Sequence, residues 1–388
     1  MKHSIKTRRL LIALIALSVA GHARGAGSGT TAVPVLQIPM SARAAGMGAS
    51  FTAVASDASA LFYNPAGLAR LNAHEFDFSF ASGQGETSIQ NFAYAGPTPF
   101  TGISGNGYTS VGANLLYSQS GTIEINRLSA NGTLGASESM SAGSDLVLCG
   151  GYAERVGMTP LELRDATYQI DHYAGVTGKY VRSTIVNQTG SVVAADAGYL
   201  IHSPEAGWSF GAAALNIGGK IKYSEEKEPL PEMFRGGFAW QGGVPSVHDT
   251  IASLDGDYLS REREWHANIG LEYFWVKTYG VRLGYQINRE DAGLTTGFGL
   301  KWKGRFLLDY AWGLGKALGD QHRVTVSYRF GGVSASQRGR QRRPFIESLP
   351  ERDQIRDIED KQFKFTDPPP RPREAPREQS SRIPGWIY

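Results

Sequence analysis

The strongest constraint on the fold is a two-residue alternation of apolar and polar side chains that recurs along most of the chain. Between His74 and Phe330, roughly 14 or 15 runs of about 8 to 13 residues alternate in this way. Turn signals from Gly, Asn, Asp or Ser separate the runs, and no helical period of about 3.6 residues interrupts them. This part of the chain is therefore predicted to be all-β.

Either a soluble β-sandwich or a membrane barrel could produce this alternation, because each shields one face of its strands from water. The polar face favours a barrel, since it consists mostly of Gly, Ala, Ser, Thr and isolated charges, which suit a crowded lumen. Aromatic residues near strand ends would form girdles at the membrane interfaces; they are Tyr273, Trp275, Trp302, Trp312, Tyr328 and Phe330. We expect a transmembrane antiparallel β-barrel with an even number of strands, about 14.

The composition excludes several other classes of protein. The chain has 388 residues with 48 Gly and 11% aromatic residues, which is too apolar for a disordered chain, and its single Cys149 rules out an internal disulfide framework. The net charge of +3 is uneven. Residues 1–24 carry about +5 and residues 338–388 about +3, so the remainder carries about −5. An acidic body gives no support to nucleic-acid binding.

The two ends of the chain differ from the alternating region. Residues 1–25 are predicted to be a secretory signal peptide, because basic residues precede an apolar run at 10–20 and small residues follow it. A membrane anchor is the alternative, but about 11 apolar residues span only ~17 Å of a ~30 Å hydrocarbon core. Residues 332–388 are rich in Pro and Arg and are predicted to be a disordered tail, either a solvated tether or a docking segment.

Residues 41–71 are rich in Ala and Gly and lack the alternation. Ser56 or Asp57 could cap a short helix that runs to Tyr63. Pro65 would end that helix, and a second short helix is expected over 66–71. Small residues allow compact helices to fit a confined space, so residues 26–72 are predicted to be a plug inside a barrel formed by 73–331.

Two stretches of this segment resemble the opening of the PorV/PorQ family of FadL-like outer-membrane proteins. They are residues 42–49 (ARAAGMGA) and 54–68 (VASDASALFYNPAGL), and the second contains the plug motif Asp57, Ser59, Asn64, Pro65, Ala66 and Gly67. Further matches follow in order at 173–180 (YAGVTGKY), 195–200 (ADAGYL), 215–218 (LNIG), 270–273 (GLEY), 282–285 (RLGY), 308–311 (LDYA) and 328–330 (YRF). The resemblance covers nearly everything from about residue 40 to 331.

The resemblance implies a FadL-like barrel of 14 strands in the outer membrane of a Gram-negative-type bacterium, with both termini and the tail in the periplasm. It also implies that Tyr328 and Phe330 form the barrel-end signal that the barrel assembly machinery recognises. The implied function is passage or binding of hydrophobic or amphipathic cargo, with the plug as gate. The alternative is a non-enzymatic component of type IX secretion that binds exported proteins. A transporter predicts an apolar pocket beside Phe62, Tyr63 and Leu68.

Several charged residues lie on the polar face of the last strands. If adjacent strands turn that face inward, they share one lumen, where unpaired charges are costly. We expect a network of ion pairs that stiffens this wall, formed by Glu272, Arg282, Lys301, Asp309 and Arg329. The alternative is that several of these charges lie at strand ends in water.

No catalytic, cofactor or metal site is indicated. The eight His residues are scattered without metal-ligand spacing, and no nucleophile lies beside a base. A charged cluster lies near one turn and consists of Asp255, Asp257, Glu262 and Glu264 with Arg261 and Arg263. We expect a solvated loop there, with a cation site as the alternative. The chain is therefore predicted not to be an enzyme. Outer-membrane lipid is expected to surround its barrel.

Overall fold

The computed structural model describes residues 31–332 except for 84–85, 106–108, 129–133, 164–165, 245–246, 290–292 and 316–318. The signal peptide predicted at 1–25 lies outside the described residues. All but the first residue of the tail predicted at 332–388 also lies outside them.

Fourteen strands form one closed antiparallel barrel, in which each strand lies beside the barrel strands before and after it in the sequence and β1 closes on β16. The barrel strands are β1 (His74–Ser82), β2 (Ser88–Pro97), β3 (Thr109–Leu128), β4 (Leu134–Leu163), β5 (Ala166–Ile185), β6 (Gln188–His202), β7 (Trp208–Gly218), β10 (Met233–Val244), β11 (His248–Leu259), β12 (Glu264–Trp275), β13 (Tyr279–Ile287), β14 (Leu294–Trp302), β15 (Phe306–Gly313) and β16 (Gln321–Phe330). β8 (Lys220–Lys222) and β9 (Lys227–Pro229) form a separate hairpin. The prediction of a barrel of about 14 strands is confirmed.

Among the described residues, the helical elements all precede β1. They are the α-helices α1 (Ala42–Gly46) and α2 (Ala60–Tyr63) and two 3-10 helices, Pro34–Gln37 and Pro65–Arg70. None of the helices in the described ranges has the length and apolar character needed to cross a membrane.

The alternation along each strand separates the two faces of the wall. On β13, Val281 and Leu283 are 55% and 50% exposed on the outer face, whereas Arg282 between them is 4% exposed. The same pattern of alternate exposure and burial runs along β12 and β15. Apolar side chains therefore cover the outside of the barrel and polar side chains turn inward, as expected for a barrel in lipid.

The barrel has two rims, named here by the seam that closes it. β1 pairs with β16, and His74 lies opposite Phe330 at the end called the lower rim. The opposite end is the upper rim. Aromatic side chains lie near both: Trp208, Trp240, Trp275, Tyr279, Trp302, Phe306 and Tyr328 near the lower rim, and Tyr258, Trp265 and Trp312 near the upper rim.

β3, β4 and β5 are longer than the predicted runs, with 20, 30 and 20 residues. Their extra length forms two-stranded ribbons, from 120–128 and 134–142 beyond the upper rim and from 156–163 and 166–170 beyond the lower rim. Within the part of the chain that the structure describes, these ribbons pair with no other barrel strand. The run lengths predicted for these strands were wrong. A free ribbon has water on both faces, so nothing imposes the alternation that marked the other strands.

Residues 31–73, called here the inner segment, lie inside the barrel. The segment enters near the upper rim, where the amide of Ala32 donates to the carbonyl of Pro229 at 2.9 Å, and it continues into β1 at the lower rim. Met47, Phe51, Leu61 and Leu68 are among the largest fully buried side chains. The first described residues thus lie at the rim opposite to the end of β16, whereas the family resemblance implied that both chain termini share one side.

The wall admits the inner segment because glycines face it at the points of closest approach. The inward glycines that touch the segment include Gly151, Gly175, Gly198, Gly211, Gly270, Gly284 and Gly297. A Cβ on Gly270 would stand 2.7 Å from the carbonyl oxygen of Met47, closer than real Cβ atoms approach. The glycine content of the chain is thus partly explained by the space that its own N-terminal segment occupies.

Replacing Gly175 tests this fit, because its Cβ would meet the backbone of Pro65 and Ala66. We expect Gly175→Leu to lower the free energy of unfolding by at least about 1–3 kcal/mol, the usual effect of overpacking. Gly178 on the same strand is the matched control, since nothing lies within 4 Å of its Cβ position. Denaturant unfolding in lipid vesicles compares the two variants. An equal loss of stability in both would contradict close packing at Gly175.

Candidate functional site

Arg43 joins the inner segment to the barrel wall. Its Nε and Nη2 donate to the two carboxylate oxygens of Glu272 on β12 at 2.9 and 2.8 Å. Its Nη1 donates to Asp57 of the same segment at 2.9 Å. A two-pronged Arg–carboxylate pair is strong and fixes orientation. Arg43 therefore holds α1 and the turn at Asp57 in one arrangement against β12.

The local sequence explains why Arg43 points at the wall. The hydroxyl of Ser41 accepts from the amide of Ala44 and caps α1 at 3.2 Å. Ala42 and Ala44 are fully buried, so their small side chains bring the helix against the wall. The amide of Ala42 donates to the hydroxyl of Thr325 on β16 at 2.8 Å.

The five charged residues predicted to share the lumen have different partners. Arg282 donates to Glu272 at 2.6 Å and forms an ion pair with Asp309 at 2.8 Å, which links β12, β13 and β15. Arg329 pairs with Glu75 on β1. The ammonium of Lys301 lies 3.8 Å from the ring centroid of Phe274, a cation–π contact rather than an ion pair.

A second junction lies on β10 and β11, where a solvated loop was expected. Asp255 and Asp257 are instead fully buried and inward-facing. One oxygen of Asp255 accepts from the amides of Phe51 and Thr52, both at 2.8 Å. The expectation was wrong because these aspartates continue the inward positions of the strand, two residues apart, and the inner segment supplies donors that replace water.

Arg235 extends this second junction. Its guanidinium donates to Asp257 at 2.8 Å and to the carbonyl of Ala49 at 2.9 Å, and it lies 5.1 Å from the ring centroid of Tyr63. Nearby, Glu262 is also buried and accepts from Gln37 at 3.1 Å. In the original cluster Arg261 and Arg263 are exposed, and Arg261 pairs with Glu232.

Asn64 forms the bend between α2 and the following 3-10 helix. Its side-chain nitrogen donates to the carbonyl of Thr52 at 3.0 Å and to that of Tyr199 in β6 at 3.2 Å. Its side-chain oxygen accepts from the amide of Ala66 at 3.2 Å. Pro65 then begins the 3-10 helix, and Gly67 packs against the backbone of Ala55. A fully buried Asn64 thus ties the bend to the wall.

The first helix of this region differs from the expected one. It begins at Ala60, whereas a cap at Ser56 or Asp57 was predicted, and its cap residue Ser59 makes no side-chain cap bond. The Asp57 carboxylate accepts from the amide and hydroxyl of Ser59, at 3.1 and 2.5 Å, and so closes a turn before the helix. Short Asp side chains favour such local turns.

Three of the family-like motifs meet in a third buried cluster. The ammonium of Lys179 lies 2.7 Å from both Asp196 and the side-chain oxygen of Asn216. Asn216 has φ 58°, and its amide donates to Asp196 at 2.7 Å where the register of β6 and β7 shifts. The side-chain nitrogen of Asn216 donates to the carbonyl of Pro231 at 3.0 Å.

Two of the cavities that border the inner segment differ in size and lining. One of about 290 Å³ lies toward the lower rim, and its cationic lining comprises Arg43, Arg70, Arg282, Lys301 and Arg329. The other, of about 20 Å³, lies beside Phe62 and Tyr63. Its lining is partly apolar, but Leu68 is not part of it and the volume is near that of one water molecule. The apolar pocket that a transporter predicts is therefore nearly closed.

Tyr328 and Phe330 lie on the outer face of β16 beside the closing seam. The ring of Phe330 stacks on Phe76 of β1 at 5.4 Å, and that of Tyr328 contacts Phe306 at 4.9 Å. Within the described ranges, no three His, Cys, Asp or Glu side chains form a group that could hold a metal ion. Cys149 is buried and free.

Sequence reasoning missed two contributions to these junctions, Arg43 and Glu75. Arg43 lies in a stretch without alternation, so no pattern assigned it a face. Glu75 lies beside Arg329 only because the first strand closes on the last. A charge inside an Ala/Gly-rich segment was the available signal for Arg43, since such a charge needs a partner once it is buried.

No known protein family matches the sequence, and no curated protein matches it. Among solved structures, the toluene transporter TbuX of Ralstonia pickettii has 13% identity and a TM-score of 0.49, over 75% of this chain and 98% of that one. The toluene transporter TodX of P. putida has 10% identity and a TM-score of 0.46, over 76% and 99%. A FadL homologue of Pseudomonas aeruginosa has 10% identity and a TM-score of 0.40, over 78% and 100%. This likeness is one of barrel architecture and assigns neither family nor cargo.

Replacing Arg43 tests the first junction. Arg43→Gln leaves Glu272 and Asp57 without their shared partner, so we expect docking of the inner segment to weaken by about 3 kcal/mol. Hydrogen–deuterium exchange of the amides at 42–63 should then accelerate about 100-fold. Arg43→Lys keeps the charge but loses the planar guanidinium that binds a carboxylate through two hydrogen bonds. Its exchange rate should therefore lie between that of Arg43→Gln and that of the parent protein. Unchanged exchange in Arg43→Gln would show that the ion pairs do not hold the segment.

Proposed function

We propose that the chain is an integral outer-membrane barrel of the PorV/PorQ, FadL-like type, in which the inner segment is a plug that gates passage or binding of hydrophobic or amphipathic cargo. The observation that carries this proposal is that the lumen is filled by a segment held through ion pairs and hydrogen bonds to inward side chains. Such contacts can break and re-form, so the same chain can be closed or open. The proposed activity is non-enzymatic.

The outer face supports the membrane location. Large apolar side chains are exposed around the wall, and water would disfavour so much continuous apolar surface. Trp265 and Trp275 lie at opposite ends of β12. Their separation is about 33 Å along the strand, or about 25 Å along the axis of a barrel whose strands tilt by about 40°. That distance equals the height of the apolar band of outer-membrane barrels.

Movement of the plug is required for passage, because the cavity beside Phe62 and Tyr63 is far smaller than a drug-sized ligand site, while the larger cavity lies toward the lower rim. We propose that the lower rim faces the periplasm, as the family resemblance implies, and that the tail at 332–388 lies there. Asn64 and Arg43 would then be the contacts that release first, since each bonds both to the segment and to the wall.

A second function is favoured by the ribbons formed by β3, β4 and β5. Among the described residues no third strand pairs with either ribbon, and a strand edge without a neighbouring strand can bind another chain by adding a strand. In this alternative the barrel receives exported proteins at the outer membrane, as the PorV-like part of the resemblance implies. Affinity purification from native outer membranes, followed by mass spectrometry for proteins and lipids, distinguishes the two functions.

Charges placed on the outer face test the membrane location. Leu283→Arg puts a cation at the middle of β13, and we expect it to lower the free energy of unfolding in lipid vesicles by about 2–4 kcal/mol. Tyr279→Arg, at the lower end of the same strand, should cost about 0–1 kcal/mol. The outcome that contradicts the proposal is an equal cost at both positions.

A reversible lock tests the gate. A Cβ on Gly46 would stand 3.1 Å from the Cα of Gly297, so cysteines at these two positions are within reach of a disulfide. In a Cys149→Ala background, we expect the oxidised Gly46→Cys/Gly297→Cys protein to take up radiolabelled toluene or decanol into lipopolysaccharide-bearing cells several-fold more slowly. Reduction should restore the rate.

The matched control links two wall strands and leaves the plug free. Leu283 and Thr296 lie directly opposite each other on β13 and β14, and their Cys pair should leave uptake unchanged. If cells with and without the protein take up both probes equally, passage of such cargo is excluded. Recovery of a large secretion partner from native membranes would then support the second function.

A further inference from the structure

We propose that the loop between β2 and β3, residues 98–105, is a membrane anchor that inserts Phe100 and Ile103 into the boundary between lipid headgroups and acyl chains at the lower rim. This inference rests on the proposed membrane location and goes beyond the proposed gate.

The loop lies on the outside of the wall rather than in the lumen. Gly151 of β4 faces inward, where a Cβ would meet the side chain of Leu61. Tyr152 and Glu154 therefore both lie on the opposite side of the strand from Gly151 and face outward. The loop crosses these two residues, because Ile103 and Ser104 bind Glu154 through their backbone amides.

Glu154 fixes the loop. Its carboxylate accepts from the amide of Ile103 at 2.7 Å, from the amide of Ser104 at 3.2 Å and from the hydroxyl of Tyr152 at 2.8 Å. The hydroxyl of Thr109 donates to the carbonyl of Phe100 at 2.8 Å. An outward carboxylate beside lipid would be costly, and the loop satisfies it with backbone donors.

Gly102 makes this close contact possible. It has φ +77°, and a Cβ there would collide with the Glu154 carboxylate and with Thr109. The residue therefore meets both requirements of the position, a left-handed backbone and close approach to a side chain. The loop backbone lies against the wall, where the hydroxyl of Ser104 donates to the carbonyl of Arg155 at 3.2 Å, while the side chains of Phe100 and Ile103 are exposed.

The side chains of Phe100 and Ile103 are apolar and largely exposed. Phe100 is 71% exposed and Ile103 is 91% exposed, although the backbone between them is fixed. Residues 97–108 carry no charge (PTPFTGISGNGY), whereas other turns at the lower rim carry Glu205, Lys277 or Lys303. An uncharged loop with Phe and Ile at its tip suits the interface of a bilayer. The loop also continues the apolar outer wall, where Val111 of β3 is exposed.

Site-directed spin labelling tests the anchor in purified protein reconstituted in phospholipid vesicles. A nitroxide is attached to Ile103→Cys or, as a control, to Glu205→Cys, each in a Cys149→Ala background. For each label, the collision rate with oxygen is divided by the collision rate with a water-soluble nickel chelate. We expect this oxygen-to-nickel ratio to be several-fold higher at 103 than at 205. Glu205 is the control because it is an exposed, charged turn residue at the same rim. A ratio at position 103 equal to that at 205 would overturn the proposal.

A third label separates this inference from the proposed function. Leu283→Cys, on the outer face of β13, reports lipid if the barrel is embedded. A lipid-like ratio at 283 with a water-like ratio at 103 overturns the anchor alone, whereas water-like ratios at both positions overturn the membrane location as well.

A further variant tests the role of Glu154. Glu154→Leu removes the acceptor and keeps the outer wall apolar, so the nitroxide at 103 should become more mobile and its oxygen-to-nickel ratio should fall toward that at 205. The ratio at 283 should not change. If the ratio and mobility at 103 are the same with and without Glu154, the carboxylate does not hold the loop at the membrane.

Discussion

Closing the sheet turns one face of fourteen strands into an interior with little room for water, and the structure depends on how the charged groups of that interior find partners. Removing one partner from a buried pair is costly, so each inward charge restricts what can lie beside it. Arg282 satisfies two wall carboxylates, and Arg43 brings the inner segment to one of them. Asp255 obtains its donors from the backbone of that segment. Wall and segment therefore complete each other's hydrogen bonding.

The alternation of the last five strands predicted which residues face the lumen, because a period of two leaves only two choices at each position. It assigns Glu272, Arg282 and Asp309 to one face, and these three residues form ion pairs with one another. It could not predict that Arg329 would pair with Glu75, since that contact depends on which strands close the barrel. Lys301 shows a further limit, because a strand pattern does not reveal that an aromatic ring lies within reach of an ammonium.

The inner segment was less predictable, because it has no period and its conformation is set by the surrounding wall. The bend at Asn64 and Pro65 could be read from local rules, since Pro restricts the residue before it and Asn binds its own backbone. The start of α2 could not be predicted in this way, because Asp57 accepts from Arg43 and from the amide of Ser59 instead of capping the helix. The burial of Asp255 and Asp257 was also missed. A pair of carboxylates near a turn is expected to be exposed to solvent, unless it is known which distant residues supply hydrogen-bond donors to them.

The path of the inner segment also restricts how the barrel can be made. The segment runs from the upper rim to the lower rim and continues directly into β1. β1 pairs with β16, the last strand of the barrel, so the lumen does not exist until nearly the whole chain has been synthesised. The simplest order of assembly is for the growing sheet to curl around a segment already attached to its first strand. In that order the inner segment is a core around which the sheet closes, and its size sets the circumference of the barrel. The segment does not have to thread through a finished pore.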